Sequence, residues 1–151
     1  MKTRSERATE KFLSGYSCAP AVLWAFAADF GLSPDTSLKL ACGFGAGLAR
    51  QQETCGAVTG AVMVLGLRLG RGEGQDRAAT EATYAKTLEL MRRFEAAHGS
   101  CNCRRLLGGC ELATEQGHAD FLARDLRHTV CAPCVRTAVS ILEDMGMGAS
   151  V

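Results

Sequence analysis

Apolar residues recur at intervals of three and four along nearly the whole chain, and this spacing constrains the fold more than any other feature. Tyr84, Leu88, Met91 and Phe94, for example, fall on one face of a predicted helix. No run of alternating apolar and polar residues rich in Val, Ile and Thr is long enough to indicate a sheet. The sequence therefore predicts an all-α fold, a single compact, bundle-like multi-helix domain over residues 1–151.

Prolines and glycines mark where these helices begin and end. Pro20, Pro34 and Pro133 each lie just inside a predicted helix start, where the missing N–H group costs nothing. The glycine-rich segment 43–47 is a poor helix interior, and 71–76 is a polar connector. We predict one short helical turn after Cys103 and helices over about 5–13, 17–30, 33–42, 54–69, 77–97, 114–126 and 131–145.

Length, composition and charge narrow the classes of function. The 151 residues are 47% hydrophobic and 22% charged, which is typical of a globular domain, and the formal net charge is +1. Because no basic patch is present, we expect no nucleic-acid partner. The most apolar segment, 57–67, is about half of the roughly 20 residues that a spanning helix needs, and the N-terminus lacks an apolar signal segment. We expect no membrane insertion and a cytoplasmic location.

The chain has eight cysteines, which in a reducing compartment indicate metal binding, redox chemistry or simple burial. Four of them occur at or near predicted helix N-termini: Cys18, Cys55, Cys103 and Cys131. The free N–H groups and the dipole of a helix start favour an anion, so a thiol there has a lowered pKa. Since the thiolate is both the nucleophile and the metal ligand, we predict that these four cluster as catalytic thiols or metal ligands.

The remaining cysteines are less distinctive. Cys42 lies in an apolar helical run and is predicted to be part of the core. Cys101 forms a C-x-C pair with Cys103, and Cys134 forms a C-x-x-C pair with Cys131, a spacing found in redox motifs and in zinc and iron–sulfur sites. Possible additional ligands are Cys101, Cys110 and Cys134.

Small residues follow Cys55 at helical spacing. Gly56 and Gly60 are four residues apart and share a helix face, with Ala57 and Ala61 beside them. Such a face lets another backbone approach closely. We therefore predict that Gly60 is a packing residue, and that the close contact brings Cys55 near thiols on neighbouring helices.

The motif C-G-A-x-x-G at residues 55–60 resembles the central signature of the C_GCAxxG_C_C family of redox-active proteins. The resemblance covers about residues 12–145 and implies a small helical redox protein. A related cysteine domain is joined to haem proteins of the split-Soret type, where an iron–sulfur centre is implied. The resemblance gives the four signature positions to Cys18, Cys55, Cys103 and Cys131, and leaves Cys42, Cys101, Cys110 and Cys134 outside the pattern.

Two hypotheses about function remain open at this stage. In the first, the four cysteines either ligate an iron–sulfur cluster for one-electron transfer or act as thiol/disulfide redox pairs through a mixed disulfide. In the second, they form a non-catalytic thiolate module that binds or senses zinc or copper(I). The first hypothesis requires an electron-transfer partner or a thiol partner. The sequence leaves open that partner, the oligomeric state and whether the protein is an enzyme.

Other cofactors and catalytic pairs are less favoured. Val135 follows Cys134, so the chain lacks the C-x-x-C-H motif of covalent haem attachment, and no haem is expected. The stretch 43–47 does not have the spacing of a dinucleotide fingerprint, so no nucleotide is expected. A nucleophilic pair of a cysteine with His98, His118 or His128 stays open, because spatial proximity is not readable from the sequence.

Overall fold

Helices provide the regular structure of the computed structural model, which describes residues 1–148. They are α1 (Arg4–Leu13), α2 (Cys18–Phe26), α3 (Pro34–Ala41), α4 (Gly45–Leu48), α5 (Gly56–Leu69), α6 (Ala78–His98), α7 (Cys103–Leu106), α8 (Glu115–Ala123) and α9 (Ala132–Asp144). Two 3₁₀ turns cover Ala27–Phe30 and Cys42–Phe44, and a π-helical turn covers Arg127–Cys131. Residues 1–148 form no strand, only an isolated antiparallel bridge between Thr54 and Asn102. The predicted all-α fold is confirmed.

Several helices begin at a capping side chain. The Ser33 hydroxyl accepts a hydrogen bond from the N–H of Thr36 at the start of α3. Asn102 caps α7 and Thr114 caps α8 in the same way. Each cap satisfies an N–H group that has no partner inside its own helix, so these polar residues fix where the helices start.

Helix α2 lies at the centre of the main hydrophobic core. Eight of its nine residues are buried, and it packs against α1, α3, α5 and α9. Helix α9 in turn contacts α1, α5 and α6. Because α2 is apolar on every side, it can be covered by neighbours on every side. The ends of α2, α5 and α9 thereby come close to one another.

Glycines allow the backbones of α2 and α5 to touch. A Cβ atom added at Gly60 would lie 2.7 Å from the carbonyl oxygen of Ala19 and 3.0 Å from its Cα atom. A Cβ atom added at Gly56 would lie 3.0 Å from the Cβ atom of Cys18. The structure therefore supports the predicted packing role of Gly60.

The structure narrows the predicted apolar face of α6 and corrects one predicted core residue, Cys42. Tyr84 and Leu88 are 62% and 52% exposed, because the buried positions of α6 are Leu90 and Phe94, in its C-terminal half. Cys42 is also exposed. It begins a 3₁₀ turn after the end of α3, and Ala41 is the residue that points into the core there.

Across residues 1–148, no helix combines the length and the apolar character needed to cross a membrane.

Candidate functional site

Five of the cysteines line one cavity of about 180 Å³. They are Cys18, Cys55, Cys103, Cys131 and Cys134. The structure thus brings together the four thiols that the sequence singled out and adds one of the three possible extra ligands. Their catalytic or metal-binding role stays a prediction.

The contact between α2 and α5 places the first two sulfurs. Cys18 is the first residue of α2, and Cys55 directly precedes α5. Both side chains are buried. Since Gly56 has no side chain, the start of α5 can lie against Cys18, and the two thiols face each other across this contact.

A short antiparallel pairing places Cys103 beside Cys55. The N–H of Cys55 donates to the carbonyl of Cys101 at 2.8 Å, and the N–H of Cys103 donates to the carbonyl of Glu53 at 2.7 Å. The two bonds hold residues 53–55 alongside 101–103 just before α5 and α7 begin. Two cysteines that are 48 positions apart in the sequence are therefore fixed at one end of the molecule.

The last two sulfurs come from a continuous helical segment. Cys131 ends the π-helical turn and Cys134 lies in the first turn of α9. The N–H of Ala132 donates to the carbonyl of Arg127, five residues back, and Pro133 has no N–H to donate. Cys131 directly precedes α9, as predicted, but helical backbone precedes it in turn, so this helix start is not free. Residues three apart share a helix face, which is why both sulfurs reach the cavity.

The interactions that shift the pKa values of these thiols link four of the five into a chain. Cys18 interacts with Cys131 on one side and with Cys55 on the other. Cys55 also interacts with Cys134. The order along this thiol chain is Cys131, Cys18, Cys55, Cys134, and it crosses α9, α2 and α5 before it returns to α9.

The thiol chain makes Cys55 the most acidic of these groups. Hydrogen bonds with the Cys134 and Cys18 thiols hold the pKa of Cys55 well below its usual value, and bonds with the backbone at Ala57 and Val58 lower it further. These two backbone groups belong to the first turn of α5. The helix start therefore lowers the pKa of Cys55 as predicted, although the neighbouring thiols contribute more. The same prediction is wrong for Cys18 and Cys103, whose pKa values are raised although they also begin helices.

Three other thiols of the site favour the protonated form. The pKa of Cys18 is raised by its hydrogen bonds with Cys131 and Cys55 and by burial. The pKa of Cys134 is raised by its hydrogen bond with Cys55 and by burial. Burial raises the pKa of Cys103 to about 12, helped by the nearby Cys55 and Cys131. One thiolate flanked by thiol donors is thus the arrangement that the site favours.

The cavity walls are mostly apolar, with a few charged residues at the edge. The apolar side chains are those of Phe12, Leu106, Leu107, Leu112, Phe121 and Val130. Arg50 and His118 line the cavity from exposed positions. Arg127 donates to the backbone carbonyls of Phe12 and Tyr16, and its guanidinium group lies 4.3 Å from the centre of the Phe12 ring. Through these contacts Arg127, in the π-helical turn, stabilises the packing of that turn against α1.

Gln52 is a buried residue of the site that the sequence reasoning missed. Its side chain donates to the carbonyl of Cys110 at 2.6 Å and accepts from the N–H of Leu112 at 2.8 Å. It also hydrogen-bonds with the Cys103 thiol. Its φ angle is +57°, in a segment where several non-glycine residues between 46 and 52 have positive φ. A polar residue in the stretch QQE gives no signal of burial, so only the folded structure identifies it.

The other cysteines and histidines have partners away from the thiol chain. The thiol of Cys101 donates to the carbonyl of Met91 at 3.5 Å, and that of Cys110 donates to the carbonyl of Gly117 at 3.0 Å. The ring of His98 pairs with the Thr137 hydroxyl at 2.8 Å, and the ring of His128 pairs with Asp125 at 2.7 Å. These interactions place all four residues in the scaffold; Cys101 and Cys110 do not line the cavity.

The five sulfurs are also the candidate ligands for a metal. Thiolates suit soft metals and iron–sulfur clusters. In the part of the chain that the structure describes, all eight cysteines are free thiols. Within that same part, no group of three or more His, Cys, Asp or Glu side chains is arranged to hold a metal ion. The five sulfur atoms are suitable ligands for a thiolate-bound metal, and in the described structure they belong to free, reduced thiols.

One protein family matches the chain, over residues 16–145. It is described as "Putative redox-active protein (C_GCAxxG_C_C)". The match covers the whole thiol site, from the residues before Cys18 to the end of α9. No curated protein and no solved structure matches the chain.

Proposed function

The chain belongs to the C_GCAxxG_C_C family of redox-active proteins, and from this premise we propose that it is a thiol–disulfide redox protein. In this proposal the Cys55 thiolate attacks a small disulfide in the cavity. The observation that carries it is the set of five thiols that line one cavity, in which the neighbouring thiols and the backbone at Ala57 and Val58 lower the pKa of Cys55. Thiolates are the nucleophiles of thiol–disulfide exchange, and a lowered pKa keeps Cys55 in that form.

The proposed reaction has two exchange steps. The sulfur of Cys55 bonds to one sulfur of the substrate disulfide, whose S–S bond breaks and releases the other sulfur as a thiolate. A second protein thiol then loses its proton and attacks Cys55, and the mixed disulfide releases the remaining substrate thiolate. Two protein thiols are oxidised to one disulfide by two electrons, and one substrate disulfide is reduced.

The cavity limits the size and polarity of the substrate. Its volume of about 180 Å³ fits a compound of low molecular weight, and the Cys55 side chain is only 5% exposed. The apolar walls favour a substrate with an uncharged body. Arg50 is the cavity-lining cation at an exposed position, so it suits a substrate with one anionic group at its end. The free thiols also support a reducing location such as the cytoplasm.

A thiolate-bound metal is the second candidate function, because five sulfurs surround one cavity. Sulfur ligands of one metal lie about 2.3 Å from it and roughly 4 Å from one another. Because the described residues include no group of three or more ligands so arranged, the side chains would have to rearrange to bind a metal. An iron–sulfur cluster would supply one-electron transfer, whereas zinc or copper(I) would make the site a binding or sensing module. Metal and sulfide analysis of anaerobically purified protein separates these cases: iron with sulfide supports a cluster, and protein free of metal supports the thiol proposal.

Alkylation across pH tests the thiol proposal itself. We expect iodoacetamide to label Cys55 of the reduced, metal-free protein at about pH 6.5, a pH well below the pKa of about 8.5 of a free thiol. Cys103 is the internal control, because it lines the same cavity and its pKa is raised to about 12. The labelled sites are read from peptides under anaerobic conditions. Labelling of Cys55 only above roughly pH 8.5, or together with Cys103, would contradict the proposal.

A further inference from the structure

We propose that Cys134 resolves the mixed disulfide on Cys55, and that Cys18 and Cys131 form a second dithiol pair beside it. Cys134 stands outside the four signature cysteines, and this assignment rests on the proposed thiol–disulfide function. With this assignment, the oxidised site has two disulfides, each of which joins cysteines of different helical segments. It also excludes the local pair that the C-x-x-C spacing of Cys131 and Cys134 would suggest.

The contacts of Cys134 support its pairing with Cys55. Cys134 is 1% exposed, lines the same cavity as Cys55 and lies where α9 packs on α5. Its interaction with Cys55 is also the main cause of its raised pKa. A thiol at this position can reach the mixed disulfide without a change in the fold.

The contacts of Cys131 support a different partner. Its thiol hydrogen-bonds with Cys18, the first residue of α2, and it is partly exposed. Cys103 also lines the cavity, but its side-chain hydrogen-bond partner is Gln52. Among the five sulfurs of the cavity, Cys103 is therefore the one left out of both pairs.

The two pairs set the electron capacity of the site. One equivalent of a disulfide oxidises Cys55 and Cys134 to a disulfide, with transfer of two electrons and release of two substrate thiols. A second equivalent oxidises Cys18 and Cys131 in the same way. Starting from the Cys55 thiolate, the fully oxidised site has then given up four electrons and three thiol protons, a fourth proton has come from solvent, and two substrate disulfides have been reduced to four thiols.

Peptide mapping of the oxidised full chain distinguishes the possible pairs. Cleavage after Lys and Arg puts Cys131 and Cys134 together in peptide 128–136, Cys55 in peptide 51–68 and Cys18 in peptide 12–39. The reduced, metal-free protein is treated anaerobically with bis(2-hydroxyethyl) disulfide, a small uncharged probe, and digested at acidic pH to prevent exchange. We expect peptide 128–136 to be linked to 51–68 after one equivalent, and to 12–39 as well after two. A peptide 128–136 that is unlinked and two hydrogens lighter would show the local pair and overturn the assignment.

A matched pair of variants in the same motif assigns the linked cysteine. In Cys134→Ala we expect the link to peptide 51–68 to be lost and a mixed disulfide with the probe to persist on Cys55. In Cys131→Ala we expect that link to form as in the wild type. An intramolecular disulfide of Cys55 in Cys134→Ala would overturn the resolving role. If a variant fails to fold, the wild-type map still distinguishes interhelical from local pairing, and fragmentation of the linked peptide 128–136 in the mass spectrometer identifies which of its two cysteines is bonded to Cys55.

The same reaction separates this assignment from the proposed function. Oxidised Cys55 in a map that shows the local pair overturns the pairing and leaves the thiol–disulfide function in place. Thiols that resist the probe in the folded protein, but react after unfolding in urea, overturn the proposed function and the pairing together.

Discussion

Replacement of Gly60 by alanine tests the idea that backbone contact between α2 and α5 builds the site. The added Cβ atom would lie 2.7 Å from the carbonyl oxygen of Ala19 and 3.1 Å from the Cβ atom of Val22, whereas ordinary contact begins at 3.4 Å. A backbone carbonyl cannot rotate away as a side chain can. The backbone of α2 must therefore retreat by roughly 0.7 Å along a buried contact.

The same helix offers a control for the intrinsic effect of alanine. Gly66 of α5 is exposed, and a Cβ atom added there would meet nothing within 4 Å. Both substitutions remove a helix-interior glycine, a change that stabilises a protein by about 0.5–1 kcal/mol. Overpacking at Gly60 costs about 1–3 kcal/mol in addition. We therefore expect Gly66→Ala to be stabilising, and Gly60→Ala to be less stable than Gly66→Ala by about 1–3 kcal/mol.

Thermal unfolding of the two reduced variants measures this difference. For a chain of this size 1 kcal/mol shifts Tm by about 2–4 °C, so the two Tm values should differ by roughly 2–12 °C. Gly60→Leu should be less stable still, because more atoms enter the same contact. Equal Tm values for Gly60→Ala and Gly66→Ala would refute the argument, since the close approach of the helices would then have no energetic consequence.

Three other changes test the surroundings of the site. Gln52→Ala leaves two buried backbone partners unsatisfied and should lower the free energy of unfolding by about 2–4 kcal/mol, read from a urea titration; a loss below about 1 kcal/mol would contradict this. Folding raises the pKa of Cys103 to about 12, so the contribution of its protonated form to stability is complete below about pH 8.5 and is lost as the pH rises toward 12. The Tm measured anaerobically should therefore fall less steeply over that pH range in Cys103→Ala than in the wild type. Gly56→Ala should push Cys18 away from Cys55 and slow alkylation of Cys55 near neutral pH, and an unchanged rate would contradict that link.

Local rules predicted the helices well because each helix carries its own signals. The starts of α3 and α8 follow from Ser33 and Thr114, whose side chains cap the first turn in the structure. The face that holds Gly56 and Gly60 follows from helical geometry alone. These features depend on residues within a few positions of one another, so the sequence was sufficient.

Features that depend on distant parts of the chain were predicted less well. Periodicity shows that α6 has an apolar face but not which part of it is covered, and Tyr84 remains exposed where Phe94 is buried. For the same reason Cys42 was wrongly placed in the core. The contact between Cys55 and Cys134 depends on how α9 packs on α5, and no spacing in the sequence encodes it.

The pKa pattern of the thiol site implies an order of events. Hydrogen bonding with Cys131 and Cys55 and burial raise the pKa of Cys18, and hydrogen bonding with Cys55 and burial raise that of Cys134. The negative charge of the Cys55 thiolate adds to both effects. The site therefore presents one nucleophile at a time. Once Cys55 and Cys134 are joined in a disulfide, that negative charge is gone, and the deprotonation of Cys18 becomes less costly. In the proposed reaction, oxidation of the first pair therefore makes oxidation of the second easier, and we expect the two two-electron steps to occur in sequence.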